Sequence, residues 1–65
     1  MNRNEIEAKK AYYLKSGKDA LDLACQYLHD HADGWSPSHE EHYRNLLHSA
    51  EVCVIKASVL DELLK

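Results

Sequence analysis

The chain has 65 residues, two cysteines and a formal net charge of −3, from eight Lys and Arg against eleven Asp and Glu. So short a chain forms one domain and buries only about 60% of its unfolded surface. Two cysteines are too few for a disulfide-rich secreted scaffold. The longest unbroken apolar run, Val52 to Ile55, is far below the roughly 20 residues that span a bilayer. Composition therefore predicts a cytoplasmic protein whose small core needs further support, such as oligomerisation.

Charge is unevenly distributed along the chain. Residues 1–18 contain five basic and two acidic side chains, a balance of +3, whereas residues 19–65 contain three basic and nine acidic ones, a balance of −6. A basic first third can therefore lie against an acidic remainder, within one chain or between two. The net negative charge argues against a general polyanion binder.

The first predicted element is a helix over about residues 4–32. Asn2 has Glu5 three residues later, which is the spacing of a helix N-cap. Gly17, after Ser16, is the weak point of this segment. It either interrupts the segment and gives three helices, or is tolerated inside one helix at about 1 kcal/mol relative to Ala. The apolar spacing continues through Gly17 without a change of phase, which favours one helix.

A loop is predicted over residues 33–38, where Asp-Gly is followed by Ser-Pro-Ser. Gly34 suits the left-handed residue that ends a helix. Two caps are then compatible with the sequence of the next helix. Ser36 can be the N-cap with Pro37 in the first turn, or Ser38 can form a capping box with Glu41.

The second predicted helix covers about residues 38–64 and carries apolar residues at alternating spacings of three and four, as does the first. Folding the chain at the loop pairs residues whose numbers sum to roughly 71. The fold class is therefore all-α, a long antiparallel helical hairpin in a single domain. The predicted hairpin core consists of Leu14, Leu21, Cys25, Leu28, Leu46, Ala50, Cys53, Ala57 and Leu60.

Each helix has more apolar surface than one hairpin seam can cover, and an uncovered apolar stripe usually marks an interface. We therefore expect a homodimer that forms a four-helix bundle. The alternative is a compact three-helix monomer with a break at Gly17. The predicted dimer interface consists of Val52, Ile55, Val59, Leu63, Tyr13 and Tyr27.

Several histidines flank the predicted loop. His29 lies one helical turn after Cys25, and His39 lies one turn before His42. Cys or His pairs at such spacings can bind zinc, but a paired-Cys knuckle and the His-Glu-x-x-His motif are both missing. Solvated polar residues around a turn are the simpler interpretation, so we expect no metal and no cofactor. The weak candidates for a metal site are Cys25, His29, His39 and His42.

Lysines interleaved with Tyr12 and Tyr13 in the first third could contact phosphates and stack bases. Two nearby glutamates dilute this charge, and the loop is longer than the turn of a helix-turn-helix. A nucleic-acid-binding regulator is therefore the alternative function, and nucleic acid is not the expected partner. Its contacts would be Lys9, Lys10, Lys15 and Lys18.

The sequence shows no nucleophile–base–oxyanion set and no Gly-rich phosphate loop, so we expect no enzyme. The start Met1-Asn2-Arg3-Asn4-Glu5-Ile6 and the short, acidic, helical character of the whole chain resemble small proteins from the exo–xis region of lambdoid phages. This resemblance implies an accessory role in a bacterial host cell: influencing lytic or lysogenic development by binding a host or phage protein. We therefore expect a small protein-interaction module.

Overall fold

The computed structural model describes residues 2–65, which form two long helices. Helix α1 spans Arg3–Asp30 and helix α2 spans Pro37–Leu63. The two helices pack side by side in opposite directions. The start of α1 therefore lies beside the end of α2, where the Arg3 guanidinium donates a hydrogen bond to the Leu64 carbonyl at 3.3 Å. The hairpin measures 49 × 15 × 14 Å. This confirms the predicted all-α hairpin.

Helix α1 is continuous through Gly17, so the described residues contain two helices and the three-helix alternative is wrong. Its N-cap is Asn2, whose side-chain oxygen accepts the Glu5 backbone N–H at 2.8 Å. The predicted spacing of cap and glutamate is thereby confirmed. This contact satisfies one of the backbone donors that the first turn of a helix leaves unpaired.

The connection occupies residues 31–36, two residues earlier than the predicted loop at 33–38. Helix α1 ends at Asp30 because the backbone of His31 leaves the helical region at φ −116°. Gly34 adopts φ 92°, a left-handed conformation that is accessible to Gly at little steric cost. The chain therefore reverses direction before the Ser-Pro sequence, and Pro37 begins α2.

Ser36, rather than Ser38, is the N-cap of helix α2. The Ser36 hydroxyl accepts the His39 backbone N–H at 3.4 Å, while the Ser36 backbone N–H donates to His39 Nδ1 at 3.0 Å. His39 thus takes the place that Glu or Gln usually has in a capping box. Ser38 lies inside the first turn of the helix.

The predicted seam of helix α2 is confirmed. Ala50, Ala57 and Leu60 are buried, and Leu46 and Cys53 are half-buried. These positions recur at spacings of three and four, so they share the side of α2 that faces α1. The predicted register is also confirmed to within a residue, because Lys10 lies against Asp61 and Gly17 against Cys53.

The predicted seam of helix α1 is wrong. Leu14, Leu21, Cys25 and Leu28 were expected in the hairpin core, but all four are exposed, the three leucines by 42–49%. The side that faces α2 lies one residue earlier along the helix. It consists of Ile6, Lys10, Tyr13, Gly17, Ala20, Ala24 and Tyr27.

Close contact between the helices explains this choice of side. A Cβ atom added at Gly17 would lie 3.3 Å from the Cys53 Cβ and 3.5 Å from the Ala50 carbonyl oxygen. Gly17 and Ala24 present almost no side chain, so the helix backbones approach and many weak dispersion contacts form. The leucine side would instead have placed the charged Lys18 in the middle of the seam.

Candidate interaction surfaces

Because the leucines of α1 do not face α2, an apolar groove stays open along one side of the hairpin. Leu14 and Leu21 form its α1 wall, and Leu47 and Val54 form its α2 wall. Leu14, Leu21 and Val54 are each exposed by 46–49%. We call this surface, defined by these four residues, the groove. Leu28 extends its α1 wall, because it lies seven residues after Leu21 and so has the same orientation.

Two charged residues of opposite sign border the groove. Lys18 lies one turn from both Leu14 and Leu21 on the outer edge of α1. Glu51 lines the groove from α2. Within residues 2–65 Lys18 has no carboxylate partner, and the nearest ion-pair contact of Glu51 is a long one of 4.0 Å to His48. The groove therefore has a basic edge on one helix and an acidic edge on the other.

The opposite side of the hairpin carries lysines beside its apolar residues. Lys9 and Lys56 lie there beside Tyr13 and Val59. The Lys56 ammonium is 5.2 Å from the centroid of the Tyr13 ring, within the range of a cation–π contact. Two cations therefore flank this side, and the tyrosine ring is partly covered by one of them.

A second apolar surface follows the side of α2 that points away from α1. We call it the outer stripe, consisting of Val52, Ile55, Val59 and Leu63, which was predicted as part of the dimer interface. Ile55, Val59 and Leu63 are 56–62% exposed, and Val52 is half-buried. All four residues belong to α2. Ile55 also borders the groove, and Val59 also lies beside Lys9 and Tyr13 of α1.

Tyr13 and Tyr27 were predicted in the same dimer interface, but both lie on the side of α1 that faces α2, where they are half-buried. The Tyr27 ring packs 4.4 Å from the His42 ring and 4.5 Å from the His31 ring, centroid to centroid. Intrachain packing therefore occupies these tyrosines.

The loop end of the hairpin is closed by aromatic rings. Tyr27 lies at the centre, and the rings of Trp35 and His39 stack with centroids 5.6 Å apart and planes inclined by 28°. The Trp35 indole donates a hydrogen bond to Glu40 at 2.9 Å. Hydrogen bonds from Trp35 and from Arg44 lower the pKa of Glu40 below its ordinary value of 4.5. Trp35 therefore packs over the loop end of the hairpin.

The weak metal candidates are not brought together. His39 and His42 lie in the aromatic cluster with Tyr27, whereas Cys25 and His29 are exposed. Over residues 2–65, no group of three or more His, Cys, Asp or Glu side chains has a geometry that could hold a metal ion. The Nδ1 atom of His39 is already an acceptor in the helix cap.

The four candidate lysines do not form one face. At 100° per residue, Lys9, Lys10, Lys15 and Lys18 are distributed around α1. Lys10 is half-buried against α2 and binds Asp61 at 2.7 Å, and Lys15 pairs with Asp19 at 3.2 Å. The hydrogen bond and the charge of Lys10 lower the pKa of Asp61 below its ordinary value of 3.8.

Both cysteines are free thiols, with Cys25 exposed and Cys53 half-buried in the seam. Neither described helix is long and apolar enough to cross a membrane. Comparisons with protein-family models, with curated proteins and with solved structures find no match for this chain. The function must therefore be inferred from the chain's own surfaces.

Sequence reasoning placed the groove leucines in the core and so did not identify the groove. One signal could have indicated it. Gly17, Ala20 and Ala24 lie at spacings of three and four, as small residues do where two helices approach closely, and the competing leucine seam contained Lys18. Both sides of α1 have the same spacing, and the side with the larger apolar residues was predicted to form the seam.

Proposed function

We propose that this chain is a non-enzymatic protein-interaction module that associates with itself as a dimeric four-helix bundle and then binds another protein. The observation that supports the proposal is the contrast between its core and its surface. The buried apolar core consists of Ala24, Ala50, Ala57 and Leu60. Among residues 2–65, nine large apolar side chains are more than 40% exposed, and most of them lie along the groove and the outer stripe.

Energetics favour association. Burying a large aliphatic side chain stabilises a fold by about 1.5–3 kcal/mol, whereas a core of this size supplies only roughly 3–5 kcal/mol in total. Covering even a few of the exposed leucines and valines would therefore rival the stability of the hairpin itself. A second pair of helices is the simplest way to cover surfaces that run along the hairpin.

Sedimentation equilibrium at micromolar concentration tests self-association. We expect a mass twice the 7.5 kDa of the chain, with the dimer dissociating on dilution. A species that is monomeric and fully helical by circular dichroism at that concentration would overturn the dimer.

The resemblance to small lambdoid phage proteins indicates what kind of further partner the protein binds. It implies that the further partner is a host or phage protein and that binding influences lytic or lysogenic development. Tagged wild-type protein should retain such a partner from host lysate. A Val59→Asp variant, altered on the outer stripe, tests whether the surface outside the groove is used.

Binding of nucleic acid through the first third of the chain is the competing function. The scattered lysines, two of them paired with carboxylates, favour protein interaction instead. Titration with duplex DNA separates the two, because phosphate contacts produce an affinity that falls steeply with salt. Tight, salt-sensitive binding that Lys9→Ala and Lys18→Ala abolish would overturn the protein-interaction proposal.

A further inference from the structure

We propose that a second copy of this chain docks in the groove, related to the first by a two-fold axis parallel to the helices. This inference rests on the self-association in the proposed function and specifies the surface and the arrangement. In that arrangement α1 of each copy lies over α2 of the other. All neighbouring helices then run antiparallel, as in an up-down-up-down bundle.

Both helices contribute apolar residues to the groove. A four-helix bundle needs a second apolar side on every helix, because each helix packs against two neighbours. Leu14 and Leu21 provide it on α1, and Leu47 and Val54 provide it on α2, in both cases seven residues apart. Such seven-residue spacing keeps the same side of a helix in contact along its length. The outer stripe provides apolar residues from α2 alone.

Charges at the groove edges are complementary between two copies. Lys18 and Glu51 lie at nearly the same height in the hairpin, because a Cβ atom added at the neighbouring Gly17 would lie 3.5 Å from the carbonyl oxygen of Ala50, the neighbour of Glu51. A two-fold axis parallel to the helices exchanges the α1 edge with the α2 edge. It therefore places Lys18 of each copy beside Glu51 of the other, which forms two equivalent ion pairs. A surface that complements itself in this way is what an isologous dimer requires.

The size of the hairpin favours an occupant that covers the whole side. A side of 49 Å by 15 Å has a projected area of about 735 Å². Stable interfaces bury about 800 Å² per partner, so a short peptide in the groove would bury too little. A second hairpin has the matching length and shape. The opposite side is less suitable for a second copy. There, Lys9 of each copy would face the helix that carries Lys56 in the other, and like charges repel.

Charge reversal tests the arrangement without altering the hairpin core, because both residues are exposed. Lys18→Glu places carboxylates on both edges of the groove, and Glu51→Lys places ammonium groups on both. Each variant alone should dimerise about 3- to 10-fold more weakly than wild type at low salt. An equimolar mixture should form a heterodimer of restored affinity. In that heterodimer the carboxylate introduced at position 18 of one chain meets the ammonium introduced at position 51 of the other, and the original pair of Lys18 and Glu51 is kept.

Intrachain effects cannot produce this restoration, so the mixture isolates contacts between chains. Sedimentation equilibrium with one variant fluorescently labelled measures the heterodimer. The restoration should fade at about 1 M salt, where charges are screened within about 3 Å. A mixture that associates no better than its components at low salt overturns the proposed arrangement.

A matched pair of apolar variants tests the groove itself. Leu21→Asp changes the groove and Val59→Asp changes the outer stripe, and both residues are about half exposed in the single hairpin. We expect Leu21→Asp, which acts twice per dimer, to weaken dimerisation at least 100-fold, and Val59→Asp to change it less than about 3-fold.

The outcomes separate this inference from the proposed function. If Val59→Asp dissociates the dimer and Leu21→Asp does not, the groove is not the docking surface, while self-association stands. A wild-type protein that is a folded monomer at micromolar concentration overturns both. Helix content by circular dichroism, measured for each variant, verifies that loss of the dimer does not reflect loss of the hairpin.

Discussion

At the scale of single residues, Gly17 determines how closely the two helices approach. Its missing side chain leaves room for Cys53 and Ala50, whose atoms lie 3.3 and 3.5 Å from the position of a Cβ. Gly inside a helix costs about 1 kcal/mol relative to Ala, so close packing offsets an intrinsic disadvantage. A weak point in the sequence of α1 is thus a point of close contact between the two helices.

Gly17→Leu should therefore destabilise the hairpin by about 1–3 kcal/mol, despite the better helix propensity of Leu. The longer side chain has to separate the helices along their length. Thermal melts of wild type and variant at one protein concentration measure the effect. Asp22→Leu, at an exposed position of the same helix, is the control and should change stability by less than about 0.5 kcal/mol. Equal melting temperatures for Gly17→Leu and wild type would show that the helices do not meet at Gly17.

The ion pair between Lys10 and Asp61 links the stability of the hairpin to pH. Because the pKa of Asp61 is lowered in the folded chain, the unfolded chain binds more protons near the ordinary value of 3.8. The stabilisation is therefore present above 3.8 and is lost as the pH falls through the lower pKa of the folded state. Both side chains are partly solvated, so this contribution is small.

Lys10→Met should raise the pKa of Asp61 toward its ordinary value, because it removes both the hydrogen bond and the charge that lower it. Titration of the Asp61 carboxyl carbon by NMR measures the change. Lys18→Met removes a lysine from the same helix without touching Asp61 and should leave the titration unchanged. Identical Asp61 midpoints in wild type and Lys10→Met would mean that the ion pair does not form in solution.

At the scale of the helices, the N-cap of α2 shows how local chemistry fixes an element boundary. The sequence allowed either serine beside Pro37 to be the cap. Ser36 becomes the cap because Pro37 can then occupy the first helical position, where its missing N–H costs nothing. His39 completes the cap with a ring nitrogen, a role that a search for Glu or Gln does not reveal.

Ser36→Ala should lower stability by about 1 kcal/mol, because the first turn of α2 loses its side-chain acceptor. Ser38→Ala should be within about 0.5 kcal/mol of wild type, since Ser38 lies exposed in the first turn. Urea unfolding of the two single variants compares the serines directly. The reverse ranking would place the cap at Ser38.

At the scale of the whole molecule, the side of α1 that faces α2 determines which apolar residues are exposed on the surface. Because Tyr13, Gly17 and Ala24 face α2, the leucines of α1 lie outside the core and form one wall of the groove. The hairpin thereby packs its backbones closely but leaves much of its apolar surface uncovered. Such a molecule is suited to association, and self-association is the proposal that the groove tests most directly.

The sequence by itself determined the helices, the turn and the α2 side of the seam. The Asn2 cap, Gly34 and the spacing of Ala50, Ala57 and Leu60 are local signals, so they can be identified without knowing the partner helix. The side of α1 that faces α2 was decided by tertiary structure alone. Both candidate sides of α1 have the same three-and-four spacing, and the choice depends on how closely two backbones can approach. That distance depends on Gly17 and Ala24 meeting small residues of α2, which is a property of the pair of helices and not of either one.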